Sequence, residues 1–269
     1  VGVWLQLLCG REGANSPNIP RSIASLQLES THLLCYISPM TSTKIRSRFR
    51  KFFEEKEHTF IPSAPLLPNN DRSVLFTTAG MQQFKPYYTG EKNPLIDFKS
   101  KNTVSVQKCI RTSDIDEVGD NTHLTFFEML GNFSFGGYDK KQAIVLAWDF
   151  ITKELKIEKD RIHVTVLDCV PLGRDEDSYN VWKNDIGIPD DKIKFGDIND
   201  NFWGPTGDSG PCGPTTEIYV DGVEIWNIVF NQYISTVSRE RAFKSGWGRL
   251  ESLPFLGVDT GMGFERLLA

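Results

Sequence analysis

The chain has 269 residues, of which 39% are hydrophobic and 24% are charged, which is the composition of an ordinary globular protein. No apolar run approaches the ~20 residues that a transmembrane helix needs, so we expect no membrane span. The net charge of −5 argues against strong non-specific binding to nucleic acid. The cysteines form no C-x-x-C pair and the histidines show no metal-ligand spacing, which predicts reduced thiols and no zinc site.

Residues 1–40 show no sustained hydrophobic period and contain Ser, Pro and a few Arg. Two interpretations stay open for this segment. It is an organellar transit peptide, a class rich in Arg and Ser and poor in acids, or it is a leader unrelated to the mature protein. Glu12 and Glu29 count against the transit peptide. We therefore favour a poorly ordered leader with Met40 as the true start, and we expect one folded domain over residues 41–269.

Residues 41–57 predict an amphipathic helix, because Thr41, Ser42 or Thr43 can cap it and four apolar residues recur at helical spacing. Those four are Ile45, Phe49, Phe52 and Phe53. The helix also carries a basic cluster, made of Lys44, Arg46, Arg48, Arg50 and Lys51. This cluster contacts an RNA backbone or is simply a solvated face, and the solvated face is the commoner case.

The remaining elements alternate between short strands and helices. Residue patterns predict strands at 58–61, 74–77, 103–110, 161–167, 216–220 and 224–234. They predict helices at 79–84, from Asp139 to about Leu155, at 175–186 and from Gly261 onward. The stretch 201–214 is rich in Gly and Pro and predicts a loop. This order predicts an α+β fold, and the lack of G-x-G-x-x-G and G-x-x-x-x-G-K-[ST] excludes Rossmann and P-loop folds.

The segment around Arg111 organises the predicted site. A polar loop over residues 112–122 joins two strand-like runs, which predicts a long antiparallel hairpin. Alternate residues of a strand share a face, so Arg111, His123 and Phe127 can point into one space. A guanidinium suits a phosphate and an aromatic ring suits a stacked base, so the set is a plausible nucleotide clamp. From spacing alone, a surface Arg with core phenylalanines is the commoner arrangement.

Two motifs carry a resemblance to a known family. Arg111 followed by His123-x-x-x-Phe127 resembles motif 2 of the class II aminoacyl-tRNA synthetases, and Gly261-Met-Gly-Phe-Glu-Arg266 resembles their motif 3. Longer blocks resemble the alanyl-tRNA synthetase family, in the family's order from about Thr41 to Ala269. These blocks are residues 75–84, 126–136, 201–203, 210–214, 224–230 and 258–263.

The resemblance implies a six-stranded antiparallel sheet flanked by helices, with ATP bound on the sheet. It implies that L-alanine and ATP form alanyl-adenylate and that alanine then passes to the 3′ end of its tRNA. Mg²⁺ would bridge the phosphates, with no ligands assigned. We expect a cytoplasmic enzyme, or a mitochondrial one if residues 1–40 are a transit segment. Because the chain starts with Val and stops within a helical pattern, we expect a fragment truncated after motif 3, without the editing and main tRNA-recognition domains.

The resemblance also implies roles for the residues at the nucleotide end. Arg111 would hold the α-phosphate and the alanine carboxylate, and His123 would reach the outer phosphates. Phe127 would stack under adenine while the backbone of Met129 binds its edge. Arg266 would cover the other adenine face and the γ-phosphate, so Arg111 and Arg266 are the catalytic candidates. A turn from Gly261 to Gly263 would let the backbone approach ATP and open a helix.

A second set would bind alanine. Asp259 would pair with the α-ammonium, although it could instead cap a helix before Thr260. Asn227 would orient the substrate, Val229 would wall the methyl pocket and Trp203 would close its other side. Arg111 and Gly261 complete the set.

Two other interpretations and one departure from the family remain. The chain could make an aminoacyl-adenylate for an acceptor other than tRNA, or it could be a catalytically silent binding module. Thr215 stands where many relatives have a second cysteine after Cys212, which argues against a local metal site.

Overall fold

The computed structural model describes residues 41–68, 74–113, 115–120, 122–245 and 250–269, and the predicted leader, residues 1–40, lies outside them. Ten strands occur in the described residues. They are β1 (Thr59–Phe60), β2 (Asn102–Ile110), β3 (Phe126–Phe135), β4 (Ile162–Cys169), β5 (Gly173–Arg174), β6 (Ile193–Gly196), β7 (Phe202–Trp203), β8 (Gly210–Val220), β9 (Val223–Ser235) and β10 (Leu250–Gly263).

Helices connect these strands and cover them. The α-helices are α1 (Ser42–Glu54), α2 (Lys85–Tyr88), α3 (Pro94–Asp97), α4 (Lys140–Asp149), α5 (Glu176–Asn180), α6 (Arg239–Lys244) and α7 (Phe264–Leu268). Short 3-10 turns span Gly80–Phe84, Lys159–Arg161 and Asp190–Lys192, and π-helical turns extend α4 and α5 over Phe150–Glu154 and Val181–Ile186. No helix in these described ranges is long and apolar enough to cross a membrane.

Six long strands form the centre of the sheet in the order β2-β3-β10-β9-β8-β4. Every neighbouring pair among them is antiparallel. The short strands add to this centre: β1 and β6 pair in parallel with β2 and β4, while β5 and β7 pair antiparallel with β4 and β8. The predicted α+β fold with a six-stranded antiparallel sheet is confirmed.

One face of the sheet packs against helices α1 and α4. Ile45, Phe49 and Phe53 recur every four residues along α1 and are buried against Phe150 and Trp226. Burying an aromatic side chain of this size stabilises the fold by roughly 1.5–3 kcal/mol. Thr41 caps α1, because its Oγ1 accepts a hydrogen bond from the Lys44 backbone N–H at 3.4 Å. Asp139 caps α4 in the same way through the Gln142 N–H at 2.8 Å.

The basic cluster of α1 is engaged within the protein. Arg46 pairs with Glu128 at 2.5 Å and lies over the Phe264 ring, and Arg48 donates to the Glu154 carbonyl at 2.7 Å. Arg50 and Lys51 pair with acids one turn away on the same helix, at 2.9 and 3.7 Å. These contacts pair the charges within the protein and leave the basic side chains partly exposed, which favours the solvated helix face over an RNA contact.

Three predictions of local structure are wrong. Residues 74–77 form no strand, because their backbone turns to meet two different segments: Thr77 N–H bonds to Leu66 O and Ile110 N–H bonds to Thr77 O. The predicted loop at 201–214 contains β7 and the first five residues of β8, because both segments find pairing partners across the sheet. The last helix begins at Phe264 and not at Gly261, because β10 keeps its pairing through Gly263.

Candidate active site

A cavity of about 540 Å³ opens on the sheet face that carries Arg111. Its walls come from the β2–β3 hairpin, from β8, β9 and β10, and from the segment that follows β7. All the residues that the sequence nominated line it, namely Arg111, His123, Phe127, Met129, Trp203, Asn227, Val229, Asp259, Gly261, Gly263 and Arg266. The topology therefore gathers residues from four separate stretches of sequence around one space.

Arg111 and Phe127 lie together, as the hairpin predicts. Cys109 is the register partner of Phe127, so the Arg111 position, two residues after Cys109, extends the same face. The guanidinium carbon of Arg111 is 5.3 Å from the centre of the Phe127 ring. Its Nε donates to the Thr78 carbonyl at 3.0 Å, which fixes the side chain. The remaining guanidinium N–H groups can serve a ligand anion.

His123 reaches the cavity from outside the strand. β3 begins only at Phe126, so strand alternation did not place this residue. Instead, the hairpin loop folds back: His123 Nδ1 contacts Asp120 Oδ2 at 2.6 Å and Nε2 contacts Glu117 Oε2 at 3.1 Å. The His123 side chain, followed by two backbone N–H groups, holds the pKa of the Asp120 carboxyl well below its usual range. Both ring nitrogens are therefore already engaged by acids.

Arg266 sits at the start of α7, immediately after β10. Its Nη1 pairs with Glu224 Oε2 at 3.0 Å, and its Nε donates to the Thr122 carbonyl at 3.2 Å. The guanidinium thus ties the end of the hairpin loop to the start of β9. Like His123, Arg266 is held in the cavity wall by an acidic partner.

Gly261 and Gly263 lie in an extended strand and not in the predicted turn. A Cβ at Gly261 would come within 2.7 Å of Met129 Sδ, so the glycine leaves room for that side chain. Met129 is in turn the register partner of Gly263, and its sulfur accepts a hydrogen bond from the Gly80 N–H at 3.2 Å. Gly261 serves close packing against β3, whereas Gly263 ends β10 and is the N-cap residue of α7, so the predicted helix entry lies at Gly263.

Asp259 lies in the middle of β10, between Val229 on β9 and Phe133 on β3. This position excludes the alternative role as a helix N-cap. The residue is 5% exposed, and burial raises the pKa of its carboxyl to about 8. The nearby Tyr88 hydroxyl donates to the Val258 carbonyl and not to this carboxylate. Among the described residues no cationic side chain pairs with Asp259, and a buried, unpaired carboxylate in the lining of a cavity is a natural site for a ligand cation.

The segment of Trp203 is held by a residue that sequence reasoning missed. Arg239 donates to the carbonyls of Ile198, Phe202 and Gly204 at 2.7, 2.6 and 3.3 Å. β7 also pairs Trp203 with Gly213 on β8. The Trp203 wall of the cavity is therefore fixed from both sides, and nothing in the local sequence around Arg239 indicated this.

Glu217 is a second residue that was missed. It is 6% exposed on β8, and its Oε1 accepts from Asn227 Nδ2 at 2.9 Å. Burial, followed by the nearby Glu224 carboxylate, raises the pKa of its carboxyl to about 7. Alternation along the predicted strand 216–220 could have found it, because a Glu inside a short strand is uncommon.

A comparison with known protein families identifies the kind of domain that contains this cavity. The sequence pattern described as tRNA synthetases class II (A) matches residues 44–269. The chain belongs to this class II tRNA synthetase family. The family match, the antiparallel sheet and the cavity on its face agree with each other.

Relatives of the class II domain carry more specific names. An alanine–tRNA ligase from Dehalococcoides mccartyi is 44% identical over 248 residues, which cover 84% of this chain and 26% of that protein. One from Rubrobacter xylanophilus is 42% identical and covers 86% and 28%. A mitochondrial alanine–tRNA ligase from Saccharomyces cerevisiae is 42% identical and covers 85% and 25%. The class II domain described here thus spans about a quarter of the length of these relatives.

Proposed function

We propose that this chain carries the aminoacylation core of an alanine–tRNA ligase. An oxygen of the alanine carboxylate attacks the α-phosphorus of ATP, the bond to the β-phosphate breaks, and pyrophosphate leaves. The alanyl group then passes to the 3′-terminal ribose of the tRNA and AMP is released. The observation that carries the proposal is a single cavity with the Arg111 guanidinium over the Phe127 ring in its wall and the buried Asp259 carboxylate in the same wall.

The nucleotide end of the cavity suits ATP. Phe127 would offer a face for adenine, and the backbone of Met129 would offer hydrogen bonds to the base edge. Gly263 also lines the cavity, and its lack of a side chain would let ATP approach the backbone. Arg111 would offset the repulsion between the carboxylate and the α-phosphate and stabilise the charge that grows in the transition state. His123 and Arg266 are now held by Glu117, Asp120 and Glu224, and phosphate oxygens would compete with those acids for the same groups.

The other end suits a small amino acid. Asp259 would pair with the ammonium, Asn227 would orient it, and Arg111 would contact the carboxylate. Val229 and Trp203, which line the cavity, would wall a small pocket for the methyl side chain, with Gly261 beside it. Such a pocket excludes larger side chains by collision, but the lost methyl of glycine is worth only about 1–3 kcal/mol.

The cavity lining contains carboxylates that could contact Mg²⁺, but among the described residues they form no complete metal site. No group of three or more His, Cys, Asp or Glu side chains in the described ranges could hold a metal by itself. Mg²⁺ usually takes one or two carboxylates and completes its shell with phosphates and water. Glu224, which is half-buried at the cavity wall, is one lining carboxylate that could supply this contact. When bound, the ion would neutralise the phosphate charge.

The partners and location follow from the same proposal. The acceptor end of an alanine tRNA would enter the open side of the cavity. We propose the cytoplasm as the location, or mitochondria if residues 1–40 act as a transit segment.

Alanine-dependent ATP–pyrophosphate exchange on the 269-residue chain tests the proposal. We expect exchange with alanine, exchange with glycine reduced by roughly 10–200-fold, and residual exchange with serine. Arg111→Ala and Asp259→Ala should each abolish exchange. The matched controls Arg161→Ala and Asp191→Ala, at exposed positions outside the cavity lining, should retain it. Exchange without charging of alanine tRNA would indicate another acceptor, and equal exchange in wild type and both cavity variants would refute the proposal.

A further inference from the structure

Glu217 lines the cavity, and its side chain makes three hydrogen bonds there. Its Oε1 accepts from Asn227 Nδ2 at 2.9 Å, while its Oε2 accepts from the Tyr219 hydroxyl at 2.9 Å and from Thr165 Oγ1 at 3.2 Å. Glu217 and Asn227 are direct register partners on β8 and β9. Asn227 lines the cavity, so the carboxylate acts on the cavity wall through that amide.

Among the described residues, the amide nitrogen of Asn227 has a hydrogen-bond partner and the amide oxygen has none. Its Nδ2 is bound to Glu217, whereas its Oδ1 is buried and has no hydrogen-bond partner there. Oε2 accepts from two hydroxyl groups, and above pH 7, where the carboxyl is ionised, Oε1 can only accept a hydrogen bond, so a flipped amide would place oxygen against oxygen. The carboxylate therefore fixes the orientation of the amide and turns Oδ1 away from β8. On the other side of Asn227 lies β10, where Gly261 is its register partner and Asp259 is two residues away.

We propose that Glu217 is a positioning residue for amino-acid binding, which holds the Asn227 amide so that Oδ1 accepts a hydrogen bond from the substrate ammonium. The proposal rests on the proposed alanine activation. An ammonium carries three N–H donors and no acceptor, so it needs several acceptors when it leaves water. The Asp259 carboxylate and the unpartnered Asn227 Oδ1 together supply them. Both oxygens of Glu217 already accept hydrogen bonds from neighbouring side chains, so in this role Glu217 acts on the substrate through Asn227.

Variants of Glu217 that keep or remove the acceptor test this role in the exchange assay. Glu217→Leu removes the acceptor, and we expect the KM for alanine to rise at least 20-fold while kcat and the KM for ATP change less than threefold. Glu217→Gln keeps an oxygen for Asn227 and can donate its N–H group to the Tyr219 oxygen. It should therefore restore the KM for alanine to within threefold of wild type.

A matched control and a double variant, in which the acid and the amide change places, complete the test. Tyr219→Phe removes a hydrogen bond to the other oxygen of Glu217, and the KM for alanine should stay within threefold of wild type. Asn227→Asp alone sets two carboxylates against each other and should weaken alanine binding. Adding Glu217→Gln gives the introduced carboxylate a donor, so the double variant should bind alanine at least fivefold more tightly than Asn227→Asp alone. This comparison decides the matter if Glu217→Leu does not fold.

Several results would overturn the role of Glu217. They are an unchanged KM for alanine in Glu217→Leu, equal losses in Glu217→Leu and Glu217→Gln, equal rises in the KM values for alanine and ATP, or no recovery in the double variant. With an active wild type, these results leave alanine activation standing and remove only Glu217. A wild-type chain without alanine-dependent exchange would overturn the proposed function and the role of Glu217 with it.

Discussion

Asp259 shows at the level of one residue how the cavity is prepared for a ligand. Burial raises the pKa of this carboxyl to about 8, so without ligand it is mostly protonated at neutral pH. Binding an ammonium requires the ionised form. The fold without ligand therefore favours the neutral form of the residue that, in the proposed alanine site, would pair with the ammonium.

The affinity for alanine should depend on pH in a defined direction. Below pH 8, each unit of rising pH ionises roughly tenfold more Asp259, so the Kd for alanine should fall about tenfold per unit at low pH and level off above 8. Titration calorimetry between pH 6 and 9 measures this. Glu217, with a pKa raised to about 7, faces the same region. The profile should persist in Glu217→Gln, and a flat profile there would show that Asp259 does not control binding.

The same carboxyl should make the unliganded fold less stable as pH rises. An acid whose folded pKa lies above its unfolded value stabilises the fold below the unfolded pKa, and this contribution is lost as pH rises through the folded pKa. The free energy of unfolding of the wild type should therefore fall between pH 4 and pH 8.5. Asp259→Asn carries no such charge, so urea denaturation should show a smaller decline in the variant. Parallel declines would contradict the buried, unpaired state of Asp259.

At the level of elements, β8 shows why a Gly-Pro-rich stretch was mistaken for a loop. Residues 210–214 lack the side chains that favour strands, yet they extend β8 across an irregularity between Cys212 and Thr215. Gly213 allows the close approach, because a Cβ there would lie 1.7 Å from the Phe230 carbonyl oxygen. Pairing with β9 overrides the local preference of residues 210–214 for a loop. The sequence of these residues does not reveal that β9 will pair with them.

Gly213→Ala should therefore destabilise the fold more than an ordinary glycine substitution. The new methyl group meets backbone of the central sheet, which cannot yield cheaply, so we expect a loss of about 2–4 kcal/mol in the free energy of unfolding. Ser209→Ala, at an exposed position just before β8, is the control and should stay within about 0.5 kcal/mol of wild type. Chemical denaturation measures both. Equal stability of the two variants would show that β8 lies farther from β9 than described.

At the scale of the whole molecule, the two faces of the sheet differ. One face packs the aromatic core around Phe49, Phe53 and Trp226, and the other carries both the cavity and a second aromatic cluster around Phe84, Tyr88 and Phe133. The motif-based residues were predictable, because each sits in a block with a recognisable pattern. The residues that hold the cavity lining in place were not predictable. The hydrogen bond of Glu217 with Asn227 depends on strand register, and those of Arg239 with the carbonyls around Trp203 depend on how a loop folds. His123 lies in the cavity lining, but its acidic partners depend on how the hairpin loop folds and could not be read from the sequence.

Titration with a non-hydrolysable sulfamoyl analogue of alanyl-adenylate tests most directly whether the cavity binds both substrates side by side. In the proposed site, the analogue would contact Phe127 and Arg111 with its nucleotide part and Asp259 with its ammonium. We expect one molecule to bind per chain, with an affinity that falls at least 100-fold in Arg111→Ala and again in Asp259→Asn, while Arg161→Ala binds like wild type. Wild-type affinity in either cavity variant would contradict the shared cavity.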